Sequence, residues 1–142
     1  MHIKAIETIL YVKDQSASCG FYTKLLRKNP ELNVPGMTSF ELSENCKVGL
    51  MPNKSIASIL SGATPHPADG EGIPRCELYL VVEDVQLECN NAIKAGARVV
   101  SAVSDRNWGD RVGYFADPDG HIIAFAQRIR AENHKQNHPP LP

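Results

Sequence analysis

Two stretches of the chain repeat one another. Glu7-Thr8-Ile9-Leu10-Tyr11-Val12-Lys13-Asp14 aligns with Glu77-Leu78-Tyr79-Leu80-Val81-Val82-Glu83-Asp84 at an offset of 70, with Glu, Leu, Val and Asp coinciding. A second match, offset by 75, sets Phe40 on Phe115, Gly49 on Ala124 and Leu50 on Phe125. Each half therefore reads strand, helix, then three strands. A half of this kind has a sheet face that it cannot cover alone. Joining two copies about a pseudo-twofold axis covers that face and leaves a concave space between them. The expected class is α+β, with two βαβββ modules forming curved mixed sheets around a cavity. The modules are expected at residues 3–52 and 76–127 of a single domain, 1–130.

The periodicity supports these elements. In Ile3–Val12 both alternating faces are mostly apolar, with Glu7 the exception, which predicts a strand buried on both sides. Asp14 or Ser16 is placed to cap a helix running to about Leu26, with Ala17, Phe21, Tyr22, Leu25 and Leu26 as its apolar stripe; Pro30 bars continuation. Strands are expected at Leu32–Val34, Thr38–Leu42 and Lys47–Met51. In the second half they are expected at Glu77–Val82, Arg98–Ala102, Val112–Ala116 and Ile122–Ala126. Asp84 or Val85 opens a helix to Ala95 that Gly96 stops, and Asp117-Pro118-Asp119-Gly120-His121 is a strong turn signal.

Residues 53–75 break the pattern. Gly and Pro punctuate Ser61–Pro74 so densely that no regular element is expected there, and the segment is read as a linker or a loop covering a site. Residues 131–142, polar and proline-rich, are read as a flexible tail whose histidines face solvent.

Composition narrows the function. Lys plus Arg is 15 against 16 for Asp plus Glu, a net charge of −1, so nothing attracts the whole chain to nucleic acid or an anionic membrane. No run of about 18 apolar residues predicts a membrane helix, and no apolar run follows Met1 as in a signal peptide. The four cysteines lack a Cys-x-x-Cys pair, which fits reduced thiols and a cytoplasmic location. Cys19 and Cys89 repeat at the 70-residue offset as core-packing residues would. No Gly-rich nucleotide loop and no Gly-x-Ser-x-Gly elbow is present.

Tyr11-Val12-Lys13-Asp14-Gln15-Ser16 with Phe21-Tyr22, and the run from Trp108-Gly109 through Asp117-Pro118-Asp119-Gly120-His121, resemble the two modules of the vicinal oxygen chelate superfamily. That superfamily includes glyoxalase I, extradiol dioxygenases, thiol-transferring fosfomycin resistance proteins and bleomycin-sequestering proteins. The resemblance spans residues 3–127. It is fairly specific for the fold and weak evidence for any one activity.

In metal-using members, ligands come from the first and last strand of each module. Here the first-strand positions, usually His, are Glu7 and Glu77, and the last-strand positions, often Glu, are Gly49 and Ala124. Two carboxylates form a weak site for a first-row metal, which commonly takes about three protein donors. No metal and no cofactor is therefore expected. His121 is an odd number of residues from Ala124, and regular alternation sends it to the opposite face. Three readings of the glutamates stand. They attract a cationic or amine-rich ligand; they share a proton as an acid/base pair; or each is paired internally with Arg75, Arg98 or Arg111.

Tyr11 and Tyr79 share parity with Glu7 and Glu77, and Trp108 offers a flat surface at a strand entry. Arg111 is a candidate for an anion or carbonyl contact, although its parity with Gly113 and Phe115 also directs it away from Tyr114. The ligand-binding candidates are thus Glu7, Glu77, Tyr11, Tyr79, Trp108 and Arg111, with no catalytic residue assigned. The resemblance implies a metal-independent protein that binds a small organic molecule in the inter-module cavity, as bleomycin-type resistance proteins do. It also implies a homodimer, often with swapped modules. The alternative is a lyase or isomerase similar to glyoxalase I with an incomplete divalent-metal site. No nucleic-acid or membrane partner is expected.

Overall fold

A computed structural model describes residues 1–129, so the expected tail at 131–142 lies outside the described residues. The chain divides into two compact units. The first is Met1–Arg75 together with the turn Pro118–His121; the second contains Cys76–Asp117 and the strand that follows the turn. The fold class is α+β, with two four-stranded mixed sheets of the same internal design.

In the first unit, strand β1 (Ile6–Val12) leads to helix α1 (Gln15–Leu26) and then to β2 (Leu32–Val34), β3 (Met37–Ser43) and β4 (Cys46–Pro52). Sheet order is β1-β4-β3-β2, with β1 and β4 parallel and the other pairs antiparallel. Asp14 caps α1 by accepting from the Ala17 backbone N–H at 3.0 Å, leaving Ser16 inside the helix. Tyr22 and Leu25 of α1 are buried, with Leu10, Val12, Phe40, Val48 and Leu50 of the sheet; the Tyr22 and Phe40 rings lie 6.4 Å apart. The helix buries Ser18, whereas Ala17 is exposed. The reason is a hydrogen bond from Ser18 Oγ to the buried Asp119 carboxylate at 3.3 Å; the same carboxylate accepts from the Lys13 N–H at 2.8 Å. Gly120 beside it has φ +89°, and a Cβ there would meet the Gly72 backbone at 2.9 Å, so the turn admits only glycine.

β1 corrects the expectation of a strand buried on both sides. It begins at Ile6, which is 57% exposed, and Glu7 is exposed while Ile9 and Tyr11 are half-buried. The strand lies at the edge of its sheet, and only the Leu10 and Val12 face packs into the core. A second correction follows β4. Asn53–Leu60, in the segment read as a linker or loop, form a helix, α2, and Pro67–Gly70 form a single 3₁₀ turn within Ser61–Pro74, where no regular element is expected. Ile56 is the one residue that α2 buries, so local packing of a single side chain sets the element rather than a long apolar stripe. The Gly-rich stretch is compatible with the 3₁₀ turn because Pro67 occupies its first position, where no backbone donor is needed.

The second unit repeats the design. It consists of β5 (Glu77–Val81), α3 (Val85–Lys94), β6 (Arg98–Asp105), β7 (Asp110–Ala116) and β8 (Ile122–Arg128), in the order β5-β8-β7-β6. Asp84 caps α3 by accepting from the Leu87 N–H at 3.0 Å, the counterpart of Asp14. The Gln127 side chain adds an acceptor for the Val85 N–H at 3.0 Å. Val85, Cys89 and Ala92 are the buried residues of α3; Ile123, Phe115 and Phe125 are buried in the sheet. None of the four cysteines forms a disulfide with a described residue; Cys89 is buried and Cys19 only half-buried, so the packing role expected of both belongs fully to Cys89. Among the described residues no helix is long and apolar enough to cross a membrane.

The sheet registers place the repeat. Ile9 pairs with Gly49 and Tyr79 with Ala124; Ser39 pairs with Gly49 and Tyr114 with Ala124. Gly49 and Ala124 are therefore equivalent, each beside the strand that carries the repeated glutamate.

Candidate functional site

In each sheet one face packs on the helix that follows its first strand, α1 or α3, and the opposite face is distal to that helix. Alternation along the strands assigns Glu7, Ile9, Tyr11, Ser39 and Gly49 to the helix-distal face of the first sheet. Ser39 Oγ donates to Glu7 Oε2 at 2.6 Å. Gly49 is what makes room for this bond. A Cβ on residue 49 would lie 2.6 Å from Glu7 Oε2, 2.5 Å from Met37 Cε and 2.7 Å from Ile9 Cδ1. The glutamate thus occupies the volume that a side chain at the last-strand position would fill. Lys47 Nζ is paired with Glu31 at 2.9 Å, and that bond holds its pKa above the ordinary lysine value, with Glu7 and Glu41 adding to the effect.

The second sheet carries Glu77, Tyr79, Asp110, Val112, Tyr114, Ala124 and Ala126 on its helix-distal face, where Tyr79 and Tyr114 pack on Val112, Ala124 and Ala126. Tyr79 is committed on both sides of its hydroxyl: it donates to Asp110 Oδ2 at 2.5 Å and accepts from the Trp108 indole N–H at 2.9 Å. Asp110 is fully buried, and Arg128 also donates to Oδ2 at 2.9 Å. Burial raises the Tyr79 pKa above the ordinary phenol value, and the Asp110 carboxylate adds to the rise. Tyr114 is raised too, by burial and then by Glu77, while Arg106, whose Cζ lies 5.1 Å from the Tyr114 ring centre, opposes it. Trp108 is 44% exposed with its nitrogen edge anchored to Tyr79, so its ring orientation is fixed from the strand side.

Arg111 projects elsewhere. It pairs across the sheet with Gln127, whose side chain caps α3, and its Nε donates to Asp105 at 2.7 Å. Each partner stabilises the other's charge, holding Arg111 above and Asp105 below their ordinary values. Neither Glu7 nor Glu77 forms an ion pair with Arg75, Arg98, Arg111 or any other described residue. His121 is buried and precedes β8.

The donor set at these positions does not fit a divalent first-row metal. In the first unit the Glu7 carboxylate lies beside Gly49 and is already engaged by Ser39; in the second, Glu77 shares its sheet face with Ala124; neither Gly49 nor Ala124 offers a donor atom. Asp110, Ser39 and Arg128 escaped the sequence reading. Parity with Val112 and Tyr114 was a usable signal for Asp110; nothing in the sequence tied Arg128 or Ser39 to it or to Glu7, because those pairings arise across strands.

Comparison with known proteins agrees with this architecture. A family described as a glyoxalase-like domain matches residues 5–130. The uncharacterized protein Mb0911c of Mycobacterium bovis is 31% identical over 132 residues, covering 91% of this chain and 86% of that protein. The uncharacterized protein Rv0887c of Mycobacterium tuberculosis is also 31% identical, covering 91% and 77%. A glyoxalase/bleomycin resistance protein/dioxygenase from Nocardioides superposes with a TM-score of 0.75 at 18% identity, covering 100% of this chain and 90% of its own. A glyoxalase-related enzyme from Fulvimarina pelagi gives 0.72 at 19% identity, covering 87% of each chain. With a two-module fold, a register that repeats between sheets, and a family match over most of its length, the chain belongs to the glyoxalase-like family of the vicinal oxygen chelate superfamily.

Proposed function

We propose that this protein is a metal-independent small-molecule binder, of the kind the bleomycin-type resistance proteins represent, and that its ligand is an amphipathic organic cation. Glu7 and Glu77 supply negative charge; Tyr11, Tyr79 and Trp108 supply apolar contact. The observation that carries this reading is that the Glu7 carboxylate reaches the space beside Gly49, a position with no donor, while Glu77 shares a sheet face with Ala124, which has none either. The Glu77 side chain is exposed and has no hydrogen bond or ion pair with any described residue, which leaves its negative charge available to a cation. Arg111, held by Asp105 on the helix side of its sheet, takes no part.

Metal analysis and thermal melting with an aromatic quaternary ammonium probe, benzyltrimethylammonium, test the reading together. It expects less than a stoichiometric amount of metal and a rise in melting temperature that Glu7→Gln or Glu77→Gln abolishes. About one equivalent of tightly held metal, released by those same substitutions, would instead favour a lyase or isomerase similar to glyoxalase I. The proposal includes a homodimer, which native mass measurement checks.

A further inference from the structure

The loop that follows α2 borders an open groove of about 470 Å³ within the first unit, lined among others by Tyr11, Leu60, Pro65, His66, Asp69 and Arg75. That volume suits a small organic molecule. Its walls are apolar where Leu60, Pro65 and the Tyr11 ring contribute, but His66, Asp69 and Arg75 bring polar and charged groups.

Arg75 is fixed by carbonyls alone. Its Nε donates to Ile73 O at 3.2 Å, Nη1 to Pro67 O at 3.4 Å and Nη2 to Asp119 O at 3.1 Å. These bonds orient the guanidinium and leave its positive charge without a carboxylate. Asp69 lines the same pocket, yet it forms no ion pair with Arg75 or with any described residue. The two opposite charges therefore face one groove while standing farther apart than a salt bridge. Two charges held apart in this way match a ligand that carries both signs.

The remaining polar groups agree. The Tyr11 hydroxyl has no partner among the described residues. His66 Nδ1 accepts from the Ala68 N–H at 3.1 Å, so the neutral ring carries its proton on Nε2 and offers a donor. A carboxylate would be received by Arg75, with Tyr11 and His66 as further donors, an ammonium by Asp69, and an apolar side chain by Leu60 and Pro65.

We infer that this pocket is a binding site for a small zwitterion with an apolar side chain, an α-amino acid or a molecule with that head group. Glu7 does not line this groove: its Cα stands four residues from Tyr11 along β1, about 13 Å at the strand rise, and Tyr11 is the residue common to this site and the one proposed above.

Isothermal titration with L-phenylalanine tests the inference, against N-acetyl-L-phenylalanine, which lacks the ammonium, and L-phenylalaninamide, which lacks the carboxylate. Using the Glu7→Gln/Glu77→Gln protein removes any cation site at those residues, so failure here is distinguishable from failure of the function proposed above. Phenylalanine is expected to bind about tenfold more tightly than either analogue, the usual scale for losing one charged hydrogen-bonded group. Asp69→Asn alters an exposed residue with no side-chain partner and is expected to weaken phenylalanine about tenfold without lowering the melting temperature. Arg75→Gln should weaken it at least as much, although it also loosens the loop. Equal affinity for the three ligands, an unchanged affinity in Asp69→Asn, or no heat with phenylalanine at about 10 mM would each overturn the inference.

Discussion

Glu7 Oε2 lies 2.6 Å from the point where a β carbon on Gly49 would stand, and it accepts a hydrogen bond from Ser39 Oγ at the same distance. Residues 7 and 49 are therefore coupled by volume: the glutamate on one strand has its present position because its neighbour on the next has no side chain. In the second unit Tyr79, the counterpart of Ile9, stands next to Ala124, and there the polar network is drawn toward Asp110 and Trp108.

This coupling is measurable. Gly49→Ala is expected to destabilise the fold by about 1–2 kcal/mol, because three side-chain ends must move at once. In a Glu7→Ala background the same substitution should cost less than half as much. Chemical denaturation of the four proteins of this double-mutant cycle provides the measurement, and strictly additive costs would refute the coupling.

Tyr79→Phe removes a hydroxyl that serves as donor to a buried carboxylate and as acceptor for Trp108. The expected loss is about 1–3 kcal/mol, the range for a hydrogen bond to a charged buried group. Trp108 is the only tryptophan in the sequence, so its fluorescence reports the site directly. Its emission should shift toward that of a more exposed indole, and unchanged emission would mean that Tyr79 does not anchor the ring.

The paired caps predict paired effects. Asp14→Ala and Asp84→Ala each remove the acceptor for a first-turn N–H, and each is expected to cost about 1 kcal/mol. Urea denaturation checks this, and a neutral result for either cap would remove it from the account of its helix.

Cys89 gives a pH dependence with a definite sign. Burial pushes its thiol from the ordinary 9.0 up to about 11. The folded state therefore binds the proton more tightly than the unfolded chain does. This contribution to stability is complete below about pH 9 and is lost as pH rises from there through about 11. Stability measured across that interval should fall, and the fall should be smaller in Cys89→Ala. Alkylation by iodoacetamide at pH 8 should reach Cys89 last among the four thiols; early modification would contradict its burial.

The duplicated architecture was legible in the sequence because it depends on features that local chemistry fixes. The Glu-to-Asp spacing repeats, each Asp is an N-cap acceptor, and the offsets of 70 and 75 return as strand registers. Strand ends were read less well: β1 starts at Ile6, since an apolar residue such as Ile3 does not itself show which face a sheet will cover. The helix at Asn53–Leu60 was not legible at all, because it buries one side chain, Ile56, and one contact leaves no periodic pattern.

At the candidate site the division has the same cause. Which residues share a face follows from the twofold alternation of a strand, so Glu7 with Tyr11, and Glu77 with Tyr79, were decided by the sequence alone. Which of those groups are already occupied was decided only by the tertiary structure. Ser39 reaches Glu7, Asp110 and Trp108 hold Tyr79, and Asp105 takes Arg111, all through neighbours from another strand or loop. A hydrogen bond depends on a separation of about 3 Å in space, and only folding brings residues distant along the chain to that separation.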